Sequence, residues 1–574
     1  MSRKLHFHLL SDNLIKSGER FRDLLYLMTK PEIGFIKSIV INALAINLLS
    51  LGVPLAIQMI INNIGVRTML QPLVVLCALL FFILSCSGVL QTIQTYTVEI
   101  LQRRLFVRYG FIISERLTSY KDKLFKKANH QDLINRYFDI IIMQSSMVTF
   151  FVTGFGFIIQ FVIGFTLLTF YHPYFLGFAG FMGQFLILNW MLFGPNGVKA
   201  GSPEANGKYK VVTWVEELSR VRNIFCSDNG KDFSNRKLNH LFNDWLHVRE
   251  NLFKFQFRQH VGLQIFGVVM NIILLGMGGY LVLKKELSAG QLVAAALVVN
   301  SIIASLPNLQ NFFFSVYNYS TSLDMIARFY DFELETPKEN AIVPRKFDFQ
   351  FENLKFEPNY NFNFSFKEGT KNLIFVKSFS SIDLFYESLM GFSNQSSGNV
   401  RFDNLLADDL DFGAVRNEIQ IIRYDQFFSG TIRENLTGIS HRQFSNTEIE
   451  NVLKKVGIEE NIAKLPKGLE TEIQPNTFPL SKSQLLSLQI AKALLLKPKI
   501  LLVTPDFEQI STFKRSLIYK EILDKHFSGT VLFFTQRFYT GNFDRYCMLE
   551  RSKMTELNGP SDLLKEIEIY GTRN

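Results

Sequence analysis

Residues Val376-Lys-Ser-Phe-Ser-Ser-Ile-Asp-Leu384 stand where a nucleotide's phosphates would be held, yet the groups that do the holding are missing. The stretch follows an apolar run, Lys371-Asn-Leu-Ile-Phe375, that reads as a strand, and it precedes a helix-like run ending at Gly391. At such a junction the pattern G-x-x-x-x-G-K-[ST] lets glycine backbone N–H groups curl around phosphates. Its lysine neutralises them and its hydroxyl binds magnesium. Neither the glycines nor the lysine nor the hydroxyl is in place here. A second candidate, Pro479-Leu-Ser-Lys-Ser-Gln484, carries Ser481 three residues before Gln484, the spacing of a helix N-terminal capping box. Four cysteines (Cys77, Cys86, Cys226, Cys547) are scattered, without metal-ligand spacing or a disulfide framework, and read as packing residues.

The elements that must position these residues begin in a membrane. The 574 residues carry a net charge of +10, are 48% hydrophobic and include 57 Phe; the mean hydropathy is +0.13. Apolar content concentrates in residues 31–320. Six runs there approach the roughly 20 apolar residues needed to cross a bilayer core: about Ile39–Ile61, Leu70–Gln91, Met147–Tyr171, Tyr174–Phe193, Val261–Leu283 and Gly290–Val316. Basic residues crowd the segments after the second and fourth runs (Arg103, Arg104, Arg108, Arg116, Lys121 and Lys123 in one; Lys199, Lys208, Lys210, Arg220 and Arg222 in the other). Positively charged loops stay in the cytoplasm, so both termini are expected there. This accounts for the basic balance, and no nucleic-acid partner is needed. The first 30 residues are polar and basic, with no cleavable apolar core.

The segments 92–146 and 194–260 show helical periodicity and read as continuations of the membrane helices. Asn129-His-Gln-Asp132 and Ser227-Asp-Asn-Gly230 supply turn chemistry for two bends. Thr336-Pro-Lys-Glu-Asn340 reads as a linker. Beyond it, strands are expected at Phe347–Phe351, Phe362–Phe366, Leu373–Val376, Val400–Asp403, Ile419–Ile422, Ile500–Val503 and Thr530–Thr535, with helices around 447–456 and 481–496. Strands alternating with helices, some strands being continuous apolar runs, indicate a mixed α/β sheet.

This plan resembles an ATP-binding-cassette (ABC) exporter half-transporter. The implied fold is an α-helical six-span exporter domain (ABC transmembrane type 1) over residues 31–335, after a leader at 1–30. An α/β ATP-binding-cassette-like domain follows over 336–574. Local motifs carry the resemblance. Phe428-Ser-Gly-Thr-Ile-Arg-Glu-Asn-Leu436 is similar to the segment after the family's Q-loop. Pro479–Gln484, leading into Gln489-Ile-Ala-Lys-Ala-Leu494 and Lys497-Pro-Lys-Ile-Leu-Leu502, looks like the signature running into Walker B. Asn558-Gly-Pro-Ser-Asp-Leu-Leu564 resembles the usual cassette ending. Arg136-Tyr-Phe138 and Gly290-Gln-Leu-Val-Ala294 look like the branch that works beside periplasmic adaptor proteins in type I secretion. In that branch the leader here is too short for the cysteine-protease domain some relatives carry.

The resemblance also implies what has been lost. Counting back from Gly391, the family's phosphate-loop glycines fall on Val376, Phe379 and Ser381, the lysine on Ile382 and the magnesium-binding Ser/Thr on Asp383. The Walker B Asp falls on Thr504 and the catalytic Glu on Pro505, the Q-loop Gln on Arg423 and the switch His on Gln536. The adenine-stacking aromatic falls near Pro358, two residues past Phe356. A bare carboxylate at 383 would repel a phosphate by about 4 kcal/mol at 4 Å and an effective dielectric of 20. No catalytic residue and no metal ligand remains, and no nucleotide is expected on the chain's own phosphate loop. The signature keeps Leu480, Ser481 and Gln484, with Lys482 and Ser483 for glycines, so Ser481, Lys482 and Gln484 are expected to serve ATP–Mg shared with a partner cassette.

The leading expectation is a non-hydrolysing subunit of an exporter in a bacterial inner membrane. Its partner would be an ATPase-competent half-transporter or a second copy, with a periplasmic adaptor implied by the type I resemblance and peptide or protein as cargo. The alternative is a non-transporting membrane scaffold or regulator of a secretion complex. The polar residues inside the spans, Gln160, Gln184, Asn189, Gln264, Asn271, Asn300 and Gln310, are expected to bond helix to helix.

Overall fold

Charge-free apolar runs this long have no partner for their backbone polar groups in lipid except themselves, which leaves the helix as the way to cross. The computed structural model describes residues 29–64, 70–121, 130–335, 342–356, 360–377, 380–392, 397–474, 479–523, 527–537, 542–550 and 553–573. It contains six helical segments long and apolar enough to span a bilayer: Lys30–Ile61, Leu73–Ser119, Leu133–Tyr171, Tyr174–Arg220, Asp228–Leu283 and Ala289–Tyr330. The chain divides into two compact units, Met1–Leu334 and Glu335–Asn574.

The first unit is helical: α1 (Ile33–Ser50), α2 (Gly52–Ile64), α3 (Leu70–Ser119), α4 (His130–Asn135), α5 (Asp139–Thr149), α6 (Phe155–Tyr171), α7 (Tyr174–Arg220), α8 (Arg222–Phe225), α9 (Asp228–Leu283), α10 (Ala289–Ala304) and α11 (Leu306–Ala327). The helices α3, α7 and α9 run unbroken for 50, 47 and 56 residues, so the basic segments do continue the spans. The second expected bend is present: α8 is a single turn, and Ser227 caps α9 by accepting from the Gly230 amide. Asn129 lies outside the described residues, and His130 already opens α4. Beside the α7–α9 bend, Trp214, Phe225 and Phe233 pack as an aromatic trio, with the Lys237 ammonium 3.8 Å from the Trp214 ring centroid. In α7, Gly201 lets Thr321 of α11 approach so closely that a Cβ would lie 2.0 Å from its Oγ1.

Interior amides behave as expected at three positions. Gln160 donates to the Ser301 carbonyl of α10, Asn189 donates to the Gln259 carbonyl of α9, and Gln310 pairs with His260. Asn271 differs: it bonds Gly267 of its own helix. The cysteine reading needs correcting. Cys547 is buried, whereas Cys77 and Cys226 are exposed, so these two do not fill a core.

The second unit has two main sheets. Strands β1 (Phe349–Phe356), β2 (Tyr360–Phe366), β4 (Ser397–Phe402) and β5 (Leu405–Leu406) form an antiparallel sheet in the order β2-β1-β4-β5. Strands β3 (Lys371–Val376), β6 (Ile419–Ile422), β9 (Ile500–Val503), β10 (Thr530–Thr535), β11 (Arg545–Glu550) and β12 (Lys553–Leu557) form the other, ordered β12-β11-β3-β10-β9-β6. All its neighbours are parallel except β11 and β12. A short ribbon pairs β7 (Gly430–Thr431) with β8 (Glu472–Ile473). The helices are α12 (Ser380–Leu389), α13 (Phe412–Asn417), α14 (Ile432–Thr437), α15 (Asn446–Lys455), α16 (Glu459–Ala463), α17 (Lys482–Leu496), α18 (Thr512–Leu523) and α19 (Pro560–Arg573).

β3, β9 and β10 are buried along their whole length, which is why they read as apolar runs without alternation. One face carries Leu373, Phe375, Leu501, Val503, Val531 and Phe533 into a cluster with α17. The other face joins Ile374, Val376 and Phe534 to a phenylalanine cluster from the antiparallel sheet. Helix α12 inserts Ile382, Phe385 and Leu389 into that same cluster. Phe385 is fully buried, with ring centroids of Phe349, Phe351, Phe362, Phe364, Phe366 and Phe534 at 5.1–6.3 Å. At the start of β3, the Lys371 ammonium donates to the Phe527 and Gly529 carbonyls, each at 2.6 Å.

Two outcomes follow from this packing. Phe385→Ala removes the ring shared by both sheets and should destabilise the cassette by about 3–5 kcal/mol, read as a lowered denaturation midpoint. Burial, opposed by Asp544, lowers the Lys371 pKa from 10.5 to about 8. Between these values the unfolded chain binds more protons than the folded one, so stability should rise with pH from about 8 to 10.5. In Lys371→Met that rise should shrink in a thermal-midpoint series across the same window.

Candidate functional site

In a parallel sheet ligands bind in the crevice beyond the carboxyl ends of the strands. The residues singled out above collect there. β3 leads to Val376 and α12, β10 to Gln536, β9 to Thr504 and Pro505, and β6 to Arg423. They are four neighbouring strands in the order β3-β10-β9-β6.

At the β3 end, Val376 is fully buried and Phe379 lies outside the described residues. Ser380 opens α12, its hydroxyl 2.8 Å from that of Tyr360. The Ser381 hydroxyl is buried without a hydrogen-bond partner, a cost of the tight packing here. Ile382 turns into the phenylalanine cluster, 3% exposed. Asp383 sits in the first turn of α12, where the helix dipole favours a carboxylate.

Arg423, immediately after β6, places Nη1 2.8 Å from Asp383 Oδ1 and Nε 3.3 Å from Asp425 Oδ1. Asp383 is therefore no bare carboxylate, and the repulsion expected from the sequence is reduced by the guanidinium beside it. Tyr424 receives the Lys482 ammonium 4.7 Å from its ring centroid. Asp506, two residues beyond Thr504, has its pKa raised by burial, an effect that Arg423 opposes.

At the β9 end the Thr504 hydroxyl donates to the Ile422 carbonyl at 2.8 Å, and buried Pro505 starts a 3₁₀ turn, Pro505–Gln509. At the β10 end Thr535 donates to Glu508, which also pairs with Arg537 at 2.9 Å, and Gln536 is half-buried.

Ser481 is the N-cap of α17. Its hydroxyl accepts from the Gln484 amide, and Gln484 Oε1 accepts from the Ser481 N–H at 2.7 Å, so the capping box exists. Ser481 and Lys482 are exposed. The Phe428–Leu436 segment is held by Asn435, whose amide bonds the Phe428 N–H and carbonyl and the Thr431 carbonyl at 3.0–3.1 Å. In the first unit, Arg136 is buried against Asn206, Met325 and Tyr209, and Gln291 completes a capping box with Ser288. Arg136 thus ties its segment to α7 and α11, while Gln291 caps its own helix. The sequence reading took Asp383 and Arg423 one at a time. Their opposite signs, 40 positions apart, were the available signal for the pair.

No protein-family profile matches the chain. It is 23% identical over 306 residues to YwjA, an uncharacterised ABC transporter ATP-binding protein of Bacillus subtilis, covering 51% of this chain and 53% of that one. It is 23% identical over 372 residues to the pediocin PA-1 transport/processing ATP-binding protein PedD of Pediococcus acidilactici, covering 62% and 51%. The chain thus spans about half the length of the curated relatives it matches. In three dimensions it superimposes on a bacterial Atm1-family ABC exporter with ATP bound at a TM-score of 0.79, covering 97% of this chain and 99% of that one at 15% identity. The fold is that of an ABC exporter. The six apolar helical segments match an exporter's transmembrane domain, and the two-sheet unit matches its nucleotide-binding domain.

Proposed function

We propose that this chain is a non-hydrolysing subunit of an ABC-type exporter, pairing with an ATPase-competent half-transporter and contributing half of the translocation path. One observation carries the reading: beyond the carboxyl ends of β3, β9 and β6, Ile382, Thr504, Arg423 and Asp383 are engaged by the chain's own groups. Ile382 lies in the apolar cluster, Thr504 is spent on the Ile422 carbonyl, and Arg423 covers Asp383. These residues do not suit a magnesium–nucleotide complex. No lysine stands at 382, no hydroxyl at 383, and no carboxylate at 504 or 505.

The exposed start of α17 remains available to a nucleotide held by another cassette, and there Ser481 and Lys482 are the groups within this chain that would meet it. Loop charge supports placing both termini in the cytoplasm. The relation to PedD favours peptide or protein cargo. The resemblance of Arg136–Phe138 and Gly290–Ala294 to the type I secretion branch adds a periplasmic adaptor protein as a further partner in this reading.

Purified alone in detergent, the chain should show no magnesium-dependent ATP hydrolysis above a protein-free blank; sustained turnover would sink the reading. Affinity purification from the native membrane should bring down a half-transporter with a complete phosphate loop. In that pair, Ser481→Asn keeps a good helix cap. It should therefore leave the melting midpoint unchanged while lowering ATP turnover about tenfold, the effect of losing a charge-stabilising hydroxyl worth roughly 1.4 kcal/mol.

A further inference from the structure

The sheet order puts β3 and β6 three strand spacings apart, about 14 Å at the usual separation. Side chains that follow these strands are joined across the carboxyl ends of β10 and β9 by Arg423 and Asp383. The bar is tied further. Asp425 takes a second edge of the same guanidinium, at 3.3 Å. Next along the chain, Tyr424 is the platform for Lys482 at the start of α17. Two residues further, the Gln426 carbonyl accepts from Gln489 of α17. Within Arg423 to Gln426, Arg423 therefore reaches α12 while Tyr424 and Gln426 reach α17.

We infer that Arg423 is a positioning residue that replaces a bound ligand: it holds segment 423–426 to α12 by its own charge, so the segment keeps one arrangement whether or not nucleotide is present. This deepens the reading of the chain as a non-hydrolysing subunit, and rests on it, by naming how its site is regulated. A tie made through a bound metal and phosphate exists only while the ligand is present. Here the cation is covalently part of the chain. Asp383 supplies the anion from the first turn of α12, where the helix dipole favours it. The Arg423 charge is also felt by Asp506. Both partners of the bar are partly solvent-exposed, 32% for Arg423 and 54% for Asp383, so its strength should fall with salt.

Hydrogen exchange on the full-length chain in lipid nanodiscs tests this, with and without ATP–Mg, at low and high salt. In the unaltered protein the amides of 423–428 should exchange at one rate with or without ATP–Mg, and faster in high salt. Arg423→Gln and Asp383→Asn should each speed exchange in that segment about fivefold, the size expected for a networked pair. The charge swap Asp383→Arg with Arg423→Asp should recover most of that loss, which a merely steric role would not produce. Exchange at Phe385, in the core of α12, reports whether a variant has stayed folded. Unchanged exchange in both single variants, or a swap no better than their sum, overturns the inference. So does protection of 423–428 that appears only with ATP–Mg. ATP turnover by the unaltered chain is read separately: sustained magnesium-dependent hydrolysis would defeat the non-hydrolysing reading, whereas loss of coupling between residues 383 and 423 without such hydrolysis defeats only this inference.

Discussion

The burial of Phe385 is the constraint around which the cassette is arranged. Its ring touches both sheets at once, so α12 cannot shift without opening the phenylalanine cluster that joins them. Desolvating an aromatic ring of this size is among the larger single contributions a core residue can make. That packing places the first turn of α12 at the strand ends irrespective of what the loop before it contains. The backbone geometry at the strand ends is therefore set by packing, whatever chemistry the side chains there offer. Ile382 shows the trade: the position where the resemblance places a phosphate lysine now adds apolar area to the same cluster.

Charge is handled differently in the two units, and solvent is the reason. In the first unit, buried Glu32 takes Arg104 and Arg108 at 3.4 and 3.2 Å. Neutral amides serve between helices, because an amide left unpaired in hydrocarbon costs less than a charge would. In the second unit, water screens the strand ends enough for Arg423, Asp383 and Asp425 to sit together without a full desolvation penalty.

Much of this was legible in the chain itself. The spans follow from apolar length alone, and β3, β6, β9 and β10 announced themselves as short apolar runs because both of their faces are covered. Boundaries were harder to read. β1 reaches Phe356 rather than stopping at Phe351, because a bulge between Phe351 and Leu354 breaks the alternation while pairing continues. β11 and β12 are not legible as strands, since both mix charged with apolar residues and β12 forms the sheet edge. At the site, identities could be read from the sequence but relations could not. Thr504 looked like a lost carboxylate, and only the fold shows its hydroxyl bonded to Ile422. Exposed Cys77 and Cys226 illustrate the same limit, for a cysteine's composition says nothing about which way its helix face turns.

The hydrogen bond from Thr504 to the Ile422 carbonyl limits which substitutions the strand ends can accept. An aspartate restored at 504 would set its carboxylate oxygens against that carbonyl, acceptor against acceptor, at a buried position. A lysine restored at 382 would have to leave the apolar cluster or carry its charge into it. Either substitution thus costs stability before it could contribute anything to nucleotide chemistry. The side chains at the strand ends are adapted to one another, so that changes made there one at a time run uphill.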